Sequence, residues 1–424
     1  MIDIRQANVL DDMQSYPDYY FHTLISDPPY QLGSSWIIDS NGNPQLKESS
    51  DFMGKWDAIG GEQWDIFFQE AYRILKHGGY CLLFAIDRQA WVLPYYAVKN
   101  GFKVCQSLAW YTMSGFPKGV NASQKINKRL GLEREVIYKN PNSDLAKTFD
   151  GYRYSQAPFK PCLESILVLK KPCKHGSVLN DLMAFQGDDE ISPAVVNIDG
   201  GRVPLAQGED LSVERDGSPI DTRGQGWGFK RMSRGNEGRV PAQLFIDEEC
   251  AVLLDSQSGT LKSGDNCIRT KPSNGYHGNI GKAGDVQITY GDSGGCSRAL
   301  HTCKYEDEEI ELIKYCTKVS TSERNAGLDD KVKNHHNTVK PISLICHIMT
   351  LFSLPSVCNQ KVYIPFAGVF SEVIGTHLAG IKLENITTCE MNPEYIEIGK
   401  ARLKYWAEKT RQEKEKPMQL KFVH

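Results

Sequence analysis

The sequence predicts an α/β fold: a doubly wound sheet interrupted by a large polar insert. Three observations carry that expectation. The first ~150 residues alternate short apolar runs with amphipathic stretches, as a layered α/β chain does. The same texture returns from residue 335. Between them, from about 175 to 330, glycine, serine, asparagine and charge take over and the apolar periods become short and broken.

In the first segment "HTLIS" (22–26) reads as a strand. In "EQWDIFFQEAYRILKHGG" (62–79), Trp64, Phe67, Phe68, Ala71, Ile74 and Leu75 recur at helical spacing, and Gly78-Gly79 predicts a C-cap. "YCLLFA" (80–85) follows as a buried strand, "WVLPYYAVKNGF" (91–102) as a helix, and "VCQSLAWY" and "ESILVLK" as further strands. In the last segment "PISLICHIMTLFS" (341–353) reads as a helix with Pro341 in its first turn. "QKVYIPFAG" is a strand running into a small-residue loop, "SEVIGTHLAG" a helix, "ITTCEMNPEY" a strand ending in an acid, and "YIEIGKARLKYWAEK" the last helix before a frayed Lys- and Glu-rich tail. The expected division is 1–174 and 335–410 as two parts of one catalytic layer, 175–334 as an inserted recognition region and 411–424 as a charged tail.

At 424 residues with 40% hydrophobic content the chain can bury a sizeable core. No run of about eighteen apolar residues occurs and "MIDIRQANVLDD" lacks the pattern of a secretory leader, so a cytoplasmic protein without a membrane segment is expected. The twelve cysteines form no Cys-x-x-Cys pair, which argues against a disulfide framework or zinc ribbon; Cys296, His301, Cys303 and Cys316 make a weak metal set, and no metal is expected. With 49 basic and 52 acidic residues, a polyanion has to be met by a local patch. "DTRGQGWGFKRMSRGNEGR" (221–239) offers one: Arg223, Lys230, Arg231, Arg234 and Arg239 with Trp227 among flexible glycines suit a phosphate backbone and unstacked bases, although a polar surface loop would look the same.

Chemistry is expected at two strand ends. "SDPPYQ" (26–31) closes the first strand with a carboxylate, two imino acids and an aromatic ring. Asp-Pro-Pro is also common strand punctuation, so this reading needs a partner. The partner is the strand, loop, helix, strand, acid unit at 362–390, in which "PFAGVFSE" supplies loop amides at a helix N-terminus and Glu390 an acid for ribose hydroxyls. The loop lacks Gly-x-Gly-x-x-Gly, which disfavours a nicotinamide dinucleotide. "GDSGG" (291–295) resembles the surroundings of a protease serine but lacks the upstream His and Asp context, and reads as a glycine-rich loop.

Taken in order, "HTLISDPPY", "ILKHGGYCLLF", "LAWYTMSGFPKGVNASQKI", "GLEREVIY", "CLESILVLKKP", "VNIDGGRVP", "TSERNAGL", "HHNTVKP" and "CEMNPEYIEIGKARL" resemble segments of phage and prophage DNA amino-methyltransferases of the permuted, β-type order. The resemblance implies a Rossmann-like methyltransferase sheet, S-adenosylmethionine as cofactor, DNA as partner, and a methyl transfer to the N6 amine of a flipped-out adenine. It implies that Asp27 and the Pro28 carbonyl grip the amine, Pro29 stiffens the turn and Tyr30 stacks on the base. Phe366, Ala367, Gly368, Glu390 and Asn392 would hold the cofactor, with Thr338, Lys340 and Pro341 near its methionine end. Cytosine N4 methylation stays open, since that base offers a similar amine; Asp27, where many cytosine enzymes have Ser, favours adenine. A degenerate, non-catalytic DNA-binding relative is the other reading, and a homodimer is compatible with either. It rests on departures from the family loop: Ile364 replaces an Asp, and Val369-Phe370 replaces Ser-Gly, where Phe370 is expected to crowd the cofactor.

Overall fold

The computed structural model describes residues 2–31, 35–47, 59–87, 89–112, 119–132, 143–155, 158–204, 238–262, 267–268, 273–275, 278–281, 283–284, 286–287, 293–302, 320–329, 332–336 and 338–415. Ten strands build the main sheet: β1 (Asp3–Gln6), β2 (Phe21–Ser26), β3 (Leu75–Ala85), β4 (Lys103–Val104), β5 (Leu108–Tyr111), β6 (Leu163–Lys170), β7 (Leu244–Ile246), β8 (His301–Thr302), β9 (Val362–Ile364) and β10 (Ile386–Glu390). Their order is β1-β10-β9-β2-β3-β6-β5-β7-β8, with β4 added to β6. Strands β1, β10, β9, β2 and β3 are mutually parallel, and β6 runs antiparallel to β3, β4 and β5.

Helices cover both faces, which is why β2 is buried along its whole length. Strand β3 shows the two-residue period of such a layer. Tyr80, Leu82 and Phe84 pack with α4 (Ile342–Leu351), α5 (Ser371–Leu378) and α6 (Pro393–Glu415). Cys81, Leu83 and Ala85 pack on the other face with α1 (Val9–Gln14), α2 (Gly61–Ile74) and α3 (Val92–Lys99).

Three element boundaries differ from the sequence expectation. Helix α2 stops at Ile74, not at Gly78-Gly79, because Leu75 turns extended and Tyr19 and Tyr20 donate to the Arg73 and Ile74 carbonyls. The two glycines lie inside β3 as points of close approach: a β-carbon would stand 2.4 Å from the Ser192 oxygen at Gly78 and 2.8 Å from the His22 oxygen at Gly79. Pro341 is the extended N-cap of α4, not part of its first turn. Helix α6 runs on to Glu415, through the start of the expected tail. Within the segment 175–334, β7 extends the main sheet beside β5, and Ser293–Gly294 of the glycine-rich loop pairs antiparallel with Leu261–Lys262.

Candidate active site

The chain leaves β2 towards β3 on one side and β9 towards β10 on the other, so the crevice between the carboxyl ends of β2 and β9 is the switch point of the sheet. Ser26 at the end of β2 donates to the Pro365 carbonyl just past β9, which ties the two strand ends together. Asp27, Pro28, Pro29 and Tyr30 therefore face the loop 365–370 across one cavity of about 480 Å³.

That cavity is lined by Asp27, Pro28, Pro29, Tyr30, Thr338, Lys340, Phe366, Ala367, Gly368, Glu390 and Asn392, so eleven of the twelve expected catalytic and cofactor positions come together. Pro341 is buried and does not line it. Of the expected DNA contacts, Arg223, Trp227, Lys230, Arg231 and Arg234 lie outside the described residues, as do Cys303 and Cys316 of the weak metal set. Arg239 exchanges backbone hydrogen bonds with Val203 and does not line the cavity. Among the described residues no group of three or more acidic, His or Cys side chains is arranged to hold a metal.

At the Asp27 end of the cavity Lys340 Nζ lies 2.6 Å from Asp27 Oδ2, 2.9 Å from Tyr30 Oη and 3.2 Å from Glu164 Oε2. Tyr30 Oη donates to Glu164 Oε2 at 3.1 Å. Burial pushes the Asp27 carboxyl up, and the Lys340 ammonium opposes that shift. Burial alone would lower Lys340, but Asp27 and Glu164 outweigh it and leave the ammonium raised, so the cation is firmly charged. Lys340 thus sits at the Asp27 carboxylate. The second oxygen, Asp27 Oδ1, is buried with no hydrogen-bond partner among the described residues.

At the other end Glu390 Oε2 accepts from Gly368 N and Oε1 from Asn392 N, each at 2.8 Å. Each oxygen keeps lone-pair capacity for a further donor. Phe366, Gly368 and Phe370 all have positive φ (54°, 48° and 68°), a tight loop that lifts the 367–369 backbone into the cavity. Phe366 lies with its ring 6.0 Å from Phe67. Phe370 is turned the other way. It is fully buried, absent from the cavity wall and packed on Gly399 of α6, which corrects the expectation that it crowds the cofactor loop. Val369 does line the cavity.

Several supporting residues escaped sequence reasoning. Arg402, fully buried, donates to the Val369 carbonyl and the Ser371 hydroxyl beneath the loop. Burial lowers it to about 10. Glu323 accepts from Ile342 N at 2.9 Å and so caps α4, and burial pushes it up to about 7. Arg324 binds the Asn334 and His336 carbonyls and thereby shapes "HHNTVKP". His336 rests against Gly368 and is held down to about 4 by burial. The signal for these was present only as resemblance of whole segments, "TSERNAGL", "HHNTVKP" and "CEMNPEYIEIGKARL", without a spacing that gives single residues a role.

A model of the DNA methylase family N6_N4_Mtase matches residues 21–401. Among curated proteins none matches significantly. Solved structures that resemble the chain include the M1.HpyAVI–SAM complex, 12% identical over 95% of this chain and 100% of that one, with a TM-score of 0.36. The PvuII DNA methyltransferase, described as cytosine-N4-specific, is 11% identical over 94% of this chain and 85% of its own, with a TM-score of 0.41. With nine-tenths of its length matched by the family model, the chain belongs to the N6/N4 DNA methylase family and is a DNA methyltransferase that takes its methyl group from S-adenosylmethionine.

Proposed function

We propose that this methyltransferase modifies the N6 amine of an adenine rotated out of the DNA helix, in the cytoplasm. The observation that carries the reading is the buried Asp27 Oδ1, without a hydrogen-bond partner among the described residues, in a cavity wall that it shares with Pro28 and Tyr30. An exocyclic amine has two N–H donors, and two converging acceptors draw its lone pair away from the ring and into position to attack. A target base has to leave the stack to reach this depth.

The cavity fits the cofactor. Glu390 has acceptor capacity for ribose hydroxyls, the loop 366–368 presents backbone beside it, and Phe366 and Phe67 give an apolar wall. When bound, S-adenosylmethionine supplies an electrophilic methyl on a sulfonium. The chain's own part is to hold and orient the amine. Lys340 opposes the effect of burial on Asp27 and so favours its acceptor form, and Glu164 fixes both Lys340 and the Tyr30 hydroxyl. Cytosine N4 is the second reading, favoured by the equivalence of its amine to the same pair of acceptors.

Transfer of labelled methyl to unmethylated DNA, comparing wild type with Asp27→Ala and identifying the product nucleoside, tests this. N6-methyladenine that vanishes with Asp27 is expected. N4-methylcytosine moves the base assignment, and DNA binding without transfer at saturating cofactor returns the chain to the non-catalytic reading.

A further inference from the structure

Strand β5 ends at Tyr111 and the antiparallel β6 begins at Leu163, directly opposite in register. Because β6 is reversed, the chain between them leaves and re-enters the sheet at the edge where β2 and β9 end, the edge that holds the active site. The second residue of β6 is Glu164, which receives the Tyr30 hydroxyl hydrogen bond at 3.1 Å. The intervening segment therefore departs and returns at the sheet edge where Glu164 meets the catalytic cavity.

The described parts of this segment form a small folded unit. A helix spans Ala122–Arg129 and is capped by Asn121; a short helix spans Asp144–Thr148 and is capped by Ser143; Val120–Asn121 pairs with Arg153–Tyr154. Ser123, Asn127 and Ala146 are buried, and Ser143 Oγ donates to Asn127 Oδ1 at 3.3 Å. On the longer helix the buried pair is four residues apart on one face, which leaves Lys125, Lys128 and Arg129 exposed at helical spacing on another.

Charge and aromatic content set this unit apart. Residues 119–160 carry eight basic and four acidic side chains in a chain whose net charge is −3. Tyr152, Tyr154 and Phe159 are 65%, 55% and 83% exposed. Cations spaced along a helix match a phosphate backbone, and exposed rings match bases that have lost their stacking partners.

We propose that the described residues 119–132, 143–155 and 158–160 form a DNA-binding wall beside the active site, with Lys125, Lys128 and Arg129 on the phosphates flanking the target and Tyr152, Tyr154 and Phe159 against the bases opened when it leaves the helix. This surface is separate from the 175–334 segment and rests on the proposed DNA amine chemistry of the adjoining cavity.

The test is binding of a labelled unmethylated duplex by the full-length protein across a salt series, comparing wild type with a Lys125→Ala/Lys128→Ala/Arg129→Ala variant. Affinity is expected to fall about tenfold or more at ~0.1 M salt, and the slope of log affinity against log salt to shrink by roughly two to three. Tyr152→Ala and Phe159→Ala each weaken binding to DNA with an unpaired target by about fivefold or more. Cofactor affinity and the melting midpoint stay at wild-type values. Should the triple variant lose its fold, Lys128→Gln alone reads the same slope, with a change of about one. A folded variant with undiminished affinity and an unchanged salt slope overturns the wall. If the wild type still methylates DNA in that case, the enzyme assignment stands without it; a wild type that binds DNA but transfers no methyl sinks the chemistry and leaves the wall judged by binding alone. A wild type that binds no DNA sinks both.

Discussion

The Phe370 ring lies flat against Gly399, so close that a β-carbon at 399 would stand 2.5 Å from its Cγ. The residue that looks like an obstruction in the loop 365–370 is a plug that fastens the loop to the last helix. Phe370→Ala should therefore cost stability, about 3–5 kcal/mol for a buried ring. Cofactor affinity in the surviving folded protein should stay within a few-fold. Gly399→Ala should destabilise by about 1–3 kcal/mol through overpacking. Urea unfolding and calorimetric titration with S-adenosylmethionine read the two quantities; a gain in cofactor affinity on removing the ring would mean that it intrudes on the site after all.

Removing one member of the ion pair under the target site should be worse than removing both. Lys340→Met leaves the Asp27 carboxylate buried without a counter-ion, at a cost of about 3–5 kcal/mol. Adding Asp27→Asn to that variant should recover most of the loss while methyl transfer stays abolished. Equal instability of the single and double variants in denaturant titrations would show that the pair does not act as a unit.

Gly368 has φ +48° and faces His336, so an added methyl would meet the imidazole at 2.7 Å. Gly368→Ala is expected to weaken cofactor binding about tenfold, because a left-handed conformation costs an alanine roughly 1–2 kcal/mol before the clash is counted. Unaltered binding by calorimetry would remove this loop from the cofactor site.

Burial raises Glu323 to about 7 from an ordinary glutamate value, so between about pH 4.5 and 7 the folded state holds a proton that the unfolded state has released. The contribution of this group to stability is therefore fully present at low pH and declines as pH rises through 7. Glu323→Gln keeps an acceptor for Ile342 N and removes the charge. Its stability relative to wild type should climb across that window and level off above it. A difference that stays flat with pH, followed by chemical denaturation at fixed ionic strength, would place the Glu323 proton elsewhere.

The parts of the site that were legible in the sequence are those whose chemistry is local. Asp27-Pro-Pro-Tyr30 announces itself by turn residues at a strand end, and Gly368 and Glu390 by a spacing of 22 residues that the observed hydrogen bond spans. What was hidden is set by partners far along the chain. Glu164 meets Tyr30 across 134 residues, and Arg402 reaches the Val369 carbonyl across 33. Phe370 was misjudged because its identity was visible but its positive φ, which turns the ring into the core, was not. Gly78 and Gly79 do not end the helix, because tertiary pairing, which pulls Leu75 into the sheet, outweighs the local helical pattern.

The hydrogen bond from Ser26 to Pro365 joins residues 339 positions apart, and β2 is sandwiched between β9 and β3. A growing chain that has emerged only as far as residue 330 can pair one side of β2 with β3 while the other side stays bare. For most of its synthesis the protein therefore displays an apolar strand with open backbone donors and acceptors, the kind of edge that recruits foreign strands. The arrangement that unites the two halves of the site also makes folding wait for its last segment, and places a need for protection during translation on the strand that carries Asp27.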